Sequence, residues 1–167
     1  MVTLRAMTPS DWPAVRRIYA AGIATGVATF ETEVPSWEAW DRAHLAVPRL
    51  VAEAGNAIVG WIAVTRVSRR HAYRGVVEHS VYVDEAMRGR GVGRALLEAL
   101  VARAAELGIW TIQTSVLETN AASLALHESV GFRLVGRRER IAQLDGAWRD
   151  TLLLELRLPS VEEQMSD

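Results

Sequence analysis

The stretch from Ser80 to Leu97, SVYVDEAMRGRGVGRALL, most narrows what this chain can fold into. Ser80–Val83 is a short run of β-branched and aromatic residues, the composition of a strand. Arg88–Gly93 is a turn rich in glycine and arginine. From Val92 onward apolar residues recur at helical spacing, at Val92, Leu96, Leu100, Ala104 and Leu107. A strand, a glycine loop and a helix in that order build an anion site. Glycines let several backbone N–H groups face one point, and the helix N-terminus adds the positive end of its dipole. Arg88, Arg90 and Arg94 add charge to the rim. The loop ends in Gly-Arg-Ala where a P-loop needs Gly-Lys-Ser/Thr, and neither Gly89 nor Gly91 opens a complete G-x-G-x-x-G fingerprint. What remains is R-x-x-G-x-G, carried by Arg88, Gly91 and Gly93.

The rest of the composition bounds the answer. A chain of 167 residues, half of them hydrophobic and 23% charged, suits one globular domain with a sizeable core. The formal net charge is −1, which argues against a nucleic-acid binder that relies on bulk charge. There is no cysteine, hence no disulfide framework, thiol nucleophile or cysteine metal site. With no apolar leader or long apolar run, neither secretion nor membrane insertion is indicated. The expectation is a cytoplasmic protein, one domain over 1–158 with a polar tail over 159–167, no metal, and no nucleic-acid or membrane partner.

Taken in order, Val2–Met7 reads as a strand. Ser10 is the expected cap of a helix with Asp11 and Pro13 in its first turn and Val15, Ile18, Tyr19 and Ile23 on its apolar face. Gly22 and Gly26 weaken its end. Ala28–Glu33 reads as an ordered loop. Ser36 caps a second helix carrying Trp37 and Trp40. Arg49–Glu53 and Ala57–Val67 are strands around an Ala54-Gly55-Asn56 turn. Ser68–Gly75 is a basic, aromatic loop, and Val76–Val83 a long central strand. Gly108 closes the helix after the glycine loop. Trp110–Leu117 is a strand, Thr119 or Asn120 starts a helix stopped by Gly131, and Phe132–Ala142 with Trp148–Leu158 makes a hairpin around Asp145-Gly146. Trp148 is expected in the hairpin core. The sum is an α/β chain of the α+β type, with a mixed, mostly antiparallel sheet of about seven strands and about four helices.

A second segment follows the glycine loop at a fixed remove: Asn120, Ser123, then Leu126-His127-Glu128-Ser129-Val130-Gly131-Phe132. The two segments together resemble the two halves of the signature of the GNAT superfamily of acetyl-CoA-dependent N-acetyltransferases. A closer likeness spans nearly the whole chain. Thr29-Phe30-Glu31-Thr32, Ala72-Tyr73-Arg74, Glu78-His79-Ser80-Val81-Tyr82-Val83, Leu126-His127-Glu128 and Gly146-Ala147-Trp148-Arg149-Asp150 look like the phosphinothricin and methionine sulfoximine N-acetyltransferases. That resemblance implies the GNAT fold, acetyl-CoA as co-substrate, a small amino-acid-like acceptor acetylated on its α-amine, and a homodimer. It leaves two other readings to weigh: a GNAT enzyme acting on protein N-termini or lysines, and a non-catalytic acyl-CoA sensor.

Acetyl transfer needs a neutral amine, and a free α-amine is mostly protonated at neutral pH. A carboxylate near the thioester removes that proton, directly or through one water. Glu78 is the candidate, on the strand that runs into the glycine loop and flanked by the apolar Val76, Val77 and Val81. His79 and Ser80 beside it are assigned to the acceptor side. The resemblance implies that Arg88, Gly89, Arg90, Gly91, Val92, Gly93 and Arg94 cradle the CoA pyrophosphate, and that the backbone of Val81, Tyr82 and Val83 bonds the pantetheine arm. Backbone N–H groups on a splayed strand can also stabilise charge on the carbonyl oxygen. The departing thiolate needs a proton. His127 stands where many GNAT members carry a tyrosine, either as that acid or packed against the cofactor without proton transfer. Asn120 caps its helix or bonds the pantetheine amide, and Ser123 reaches the same region. A zwitterionic acceptor carries a carboxylate, which Arg70 and Arg74 can bind as forks, with Phe30 and Tyr73 as pocket walls.

Overall fold

The structure, a computed structural model, describes residues 1–159. The expected tail from 160 onward lies outside the described residues. Seven strands form one sheet: β1 (Val2–Ala6), β2 (Arg49–Ala54), β3 (Ala57–Arg66), β4 (Val76–Val83), β5 (Thr111–Leu117), β6 (Arg133–Leu144) and β7 (Ala147–Arg157). Their spatial order is β1-β2-β3-β4-β5-β7-β6. Every neighbouring pair is antiparallel except β4 with β5. The four helices are α1 (Trp12–Ala24), α2 (Trp37–Ala43), α3 (Val92–Glu106) and α4 (Ala121–Val130). Among the described residues no helix is long and apolar enough to cross a membrane.

The two faces of the sheet carry different cores. On one, Leu96, Leu97 and Leu100 of α3 are fully buried against Ile62, Val64, Val77, Ile112 and Leu154. Each such side chain contributes roughly 1.5–3 kcal/mol of burial. On the other face α1 and α2 set an aromatic core. Trp40 stands edge-on to Trp61 at 5.6 Å, and Trp61 stacks on Tyr82 at 5.0 Å. Tyr19 completes it, 4.9 Å from Tyr82.

Several element ends follow a different chemistry from the expected one. Ser10 does not cap α1. The Asp11 carboxylate accepts from the Thr8 backbone N–H at 2.7 Å and is gripped by both guanidinium ends of Arg5 at 2.8 Å, so the turn before the helix is fixed by Asp11. That pair and the Thr8 bonds hold the Asp11 pKa down to about 2. Leu107 falls at the C-cap of α3, outside its buried stripe, and is exposed. Trp148 is also exposed, because β6 is the sheet's edge and its strand pair with β7 projects beyond the helices. The β6–β7 turn does form on Asp145 and Gly146, both at positive φ, +50° and +76°, as a two-residue hairpin turn requires.

Candidate active site

β4 and β5 pair for three rungs, Val76 with Thr111, Val77 with Ile112 and Glu78 with Gln113. Beyond Glu78 the strands part. The remainder of β4 stays paired to β3, from Ala63–Ser80 to Gly60–Val83, and among the described residues its other edge has no strand partner. A cavity of about 800 Å³ opens in that gap. An unpaired strand edge inside a cavity suits a ligand that bonds backbone amides along its length.

At one end of the cavity the chain leaves β4, makes a single turn over Glu85–Met87 and enters the glycine loop. Gly91 is the residue before α3 and sits at φ +81°, in the left-handed region. Nothing lies within 4 Å of the position a Cβ would take there. The requirement for glycine is therefore conformational, and the space beside it is free for a ligand. Val92, Gly93 and Arg94, the first residues of α3, line the same cavity, and the first N–H groups of a helix have no partner within it, which is how helix N-termini bind phosphate.

Further into the cleft stands Glu78. Its Oε2 accepts from Gln113 Nε2 at 3.0 Å, which aims the carboxylate into the cavity from the rung where the strands separate. The loop over Ala28–Glu33 adds Thr29, Phe30 and Glu31 to the cavity wall.

The sequence model of the Acetyltransferase (GNAT) family matches residues 12–132, which contain this cleft. The chain belongs to the GNAT acetyltransferase family. It is 38% identical over 161 residues to a phosphinothricin N-acetyltransferase of Alcaligenes faecalis, covering 92% of this chain and 81% of that protein. It is 32% identical over 155 residues to an L-methionine sulfoximine/L-methionine sulfone acetyltransferase of Pseudomonas aeruginosa, covering 89% and 90%. A GNAT superfamily phosphinothricin acetyltransferase from Sinorhizobium meliloti, solved in complex with acetyl-CoA, superposes with a TM-score of 0.86 at 31% identity, covering 96% and 91%.

As a GNAT member the chain is an acetyl-CoA-dependent N-acetyltransferase, and the cleft fits that co-substrate. Of the expected residues, the cavity wall holds Phe30, Glu78, His79, Ser80, Val81, Tyr82, Val83, Arg88, Gly89, Gly91, Val92, Gly93, Arg94, Asn120, Ser123 and His127. Arg90 is not among the lining residues. Asn120 Oδ1 accepts from Ser123 N at 3.1 Å and its Nδ2 donates to Val27 O at 3.3 Å, so its carboxamide serves the helix cap and the neighbouring loop. The Tyr82 ring turns into the aromatic core, where burial raises its pKa. Its backbone belongs to the open edge of β4.

His127 lies deep in the fold. It is 1% exposed. Its Nδ1 lies 2.6 Å from the Ser123 carbonyl, which can only accept, so Nδ1 carries the proton. Its Nε2 lies 2.9 Å from His79 Nε2. With Nδ1 protonated on a neutral ring, His127 Nε2 is the acceptor and His79 Nε2–H the donor. Burial lowers both pKa values, and the mutual charge lowers His79 further. His79 thus faces α4, away from the acceptor side assigned to it, because Val77 and His79 share the strand face that α3 and α4 cover.

The basic loop also departs from expectation. Arg74 lies over the Trp110 ring at 5.1 Å and reaches the His71 carbonyl. Tyr73 is exposed, and neither it, Arg70 nor Arg74 lines the cavity. Sequence reasoning passed over Gln113, Ser115 and Gly22, all of which border or support the cleft. The parity of β5 was the available signal for Gln113 and Ser115, since alternate residues Ile112 and Val116 are core.

Proposed function

We propose that this enzyme moves acetyl from acetyl-CoA to the α-amino group of a small amino-acid-like acceptor, of the phosphinothricin or methionine sulfoximine type. The observation that carries this reading is the Glu78 carboxylate, held by Gln113 at the rung where β4 and β5 part, inside the cavity that the glycine loop also enters. Likeness over most of the chain to two acetyltransferases named for such acceptors supports it.

In this mechanism acetyl-CoA supplies the acetyl group as a thioester. The loop from Arg88 to Arg94 and the start of α3 hold its phosphates. The open edge of Val81–Val83 aligns the pantetheine arm and offers N–H groups to the thioester carbonyl. Glu78 accepts the proton of the acceptor's ammonium, directly or through one water. The neutral amine then adds to the thioester carbonyl, the C–N bond forms as the C–S bond breaks, and CoA leaves as a thiolate that takes its proton from water, while His127 and His79, bonded to each other, fix the α4 side of the cleft. A cytoplasmic homodimer is part of the same reading. Exposed Leu134, Val135, Ile141 and Trp148 on the edge hairpin support a second copy, and sedimentation equilibrium tests it.

The acceptor is tested by thiol release from acetyl-CoA with L-phosphinothricin, L-methionine sulfoximine, the common amino acids and peptides with free N-termini. Turnover is expected with free amino acids or the two analogues. Turnover of peptides alone, or of no amine, contradicts the assignment.

A further inference from the structure

On the face of the sheet that carries Glu78, the C-terminal strands hold a group of basic and hydroxyl side chains that the roles above do not use. Ile112 and Val116 of β5 belong to the core under α3, so Gln113 and Ser115 face the opposite way. Gln113 holds Glu78. Ser115, two residues on and about 7 Å along the strand, lines the same cavity. From the outer strand β6, Arg138 crosses β7 and donates from Nη2 to Ser115 Oγ at 2.8 Å. Its register partner on β7 is Thr151.

Arg138 has a buried Nε with no hydrogen-bond partner, and so has Arg149; Thr151 Oγ1 is buried and unpartnered as well. Among the described residues no carboxylate pairs with Arg138 or Arg149. Their neighbours on β6 are paired: Arg133 with Glu155, and Arg137 with Glu118, Glu139 and Asp150. A guanidinium partly withdrawn from water without a counter-ion is costly. Arg138 reaches the cavity wall through Ser115, and with the buried hydroxyl of Thr151 opposite it on β7 it has the polarity of an anion site. Arg fits this use because its fork matches a carboxylate or phosphinate in two parallel bonds.

The geometry points to Arg138, seated by Ser115, as the residue that takes an anionic group of the acceptor while the amine faces Glu78. This rests on the acceptor reading above and refines it to amino acids carrying a free acid. The spacing from Gln113 to Ser115 suits a molecule with an amine at one end and an acid at the other.

The test begins with binding. The full chain loaded with acetyl-CoA is titrated with glutarate, a dicarboxylate without an amine, by calorimetry. Glutarate is expected to bind the wild type, roughly ten- to a hundredfold more weakly to Arg138→Gln, and measurably more weakly to Ser115→Ala, with acetyl-CoA affinity equal in all three. Equal glutarate binding by wild type and both variants, or none by wild type, overturns the subsite. No turnover is needed, so a chain that binds glutarate through Arg138 and acetylates no amino acid keeps the subsite and loses the acceptor reading. Kinetics then identify the anion. Wild type and Arg138→Gln are compared on L-glutamate, its α-amide and its side-chain amide. The amide whose KM the variant leaves unchanged lacks the group that Arg138 holds. An equal rise in KM for all three overturns the assignment, because it marks a packing effect.

Discussion

His79 Nε2 and His127 Nε2 stand 2.9 Å apart, and the Ser123 carbonyl on the far side of His127 decides which of them donates. The proton between the rings belongs to His79. Phe132 meets both rings edge-on, at 5.6 and 5.1 Å. Both residues are neutral in the fold, their pKa values pushed below 6.5 by burial.

Stability therefore depends on pH in a stated direction. Below about 6.5 the unfolded chain takes up protons that the fold refuses. The pair's contribution is complete above that pH and is lost as pH falls below it, by up to about 1.4 kcal/mol per pH unit for each ring. Urea melts from pH 7 to pH 5 should show falling stability. His79→Gln removes one such group and should make the slope shallower, at a cost of roughly 1–3 kcal/mol at pH 7 for the hydrogen bond lost to His127. A wild-type stability that is flat over this range would mean that both rings charge freely inside the fold.

Gly22 supports the cleft from behind. A Cβ there would lie 2.5 Å from Tyr82 Cδ1 and 2.6 Å from Cε1. The ring cannot yield easily, since Tyr19 and Trp61 hold its other sides. Gly22→Ala should destabilise by roughly 1–3 kcal/mol, although alanine is the better helix former by about 1 kcal/mol. A thermal melt checks it, and a raised Tm would show that α1 has room to move away from β4.

Gly91→Val tests the phosphate loop. The site is open, so the fold should survive, but a β-branched residue at φ +81° is strained, and its side chain would occupy the space beside the α3 N-terminus. Acetyl-CoA affinity should fall by at least about tenfold, the worth of one charged hydrogen bond. Calorimetry showing normal binding by a folded variant would remove the loop from the cofactor site.

Much of this molecule was legible in the sequence because the signals are local. The glycine loop, the Asn120 cap, the Asp145-Gly146 turn and the run of β4 each need only neighbouring residues. What the sequence did not show were contacts between distant segments. His79 and His127 are 48 residues apart, and whether His79 points to the acceptor or to α4 depends on which face α3 covers. Arg74 sits four residues before Glu78, yet the turn over His71–Tyr73 carries it onto Trp110. Gly22 read as a weak helix end, because its reason, the Tyr82 ring, comes from another strand. Arg138 gave no signal at all in a segment crowded with arginine. Ser10 lost its expected role to Asp11, whose partner Arg5 lies outside the helix.

The central claim is that Glu78 accepts the acceptor's ammonium proton at the fork of β4 and β5. The direct measurement is kcat of Glu78→Gln against pH, under saturating acetyl-CoA and with the best acceptor from the panel. Glutamine keeps the size and the bond to Gln113 but cannot take a proton. At neutral pH kcat should fall on the order of 10²–10⁴, the usual worth of general acid–base catalysis, while acetyl-CoA affinity stays nearly unchanged. The deficit should shrink as pH rises and more amine arrives already neutral. A variant with wild-type kcat at neutral pH, or a deficit that does not change with pH, would contradict the assignment.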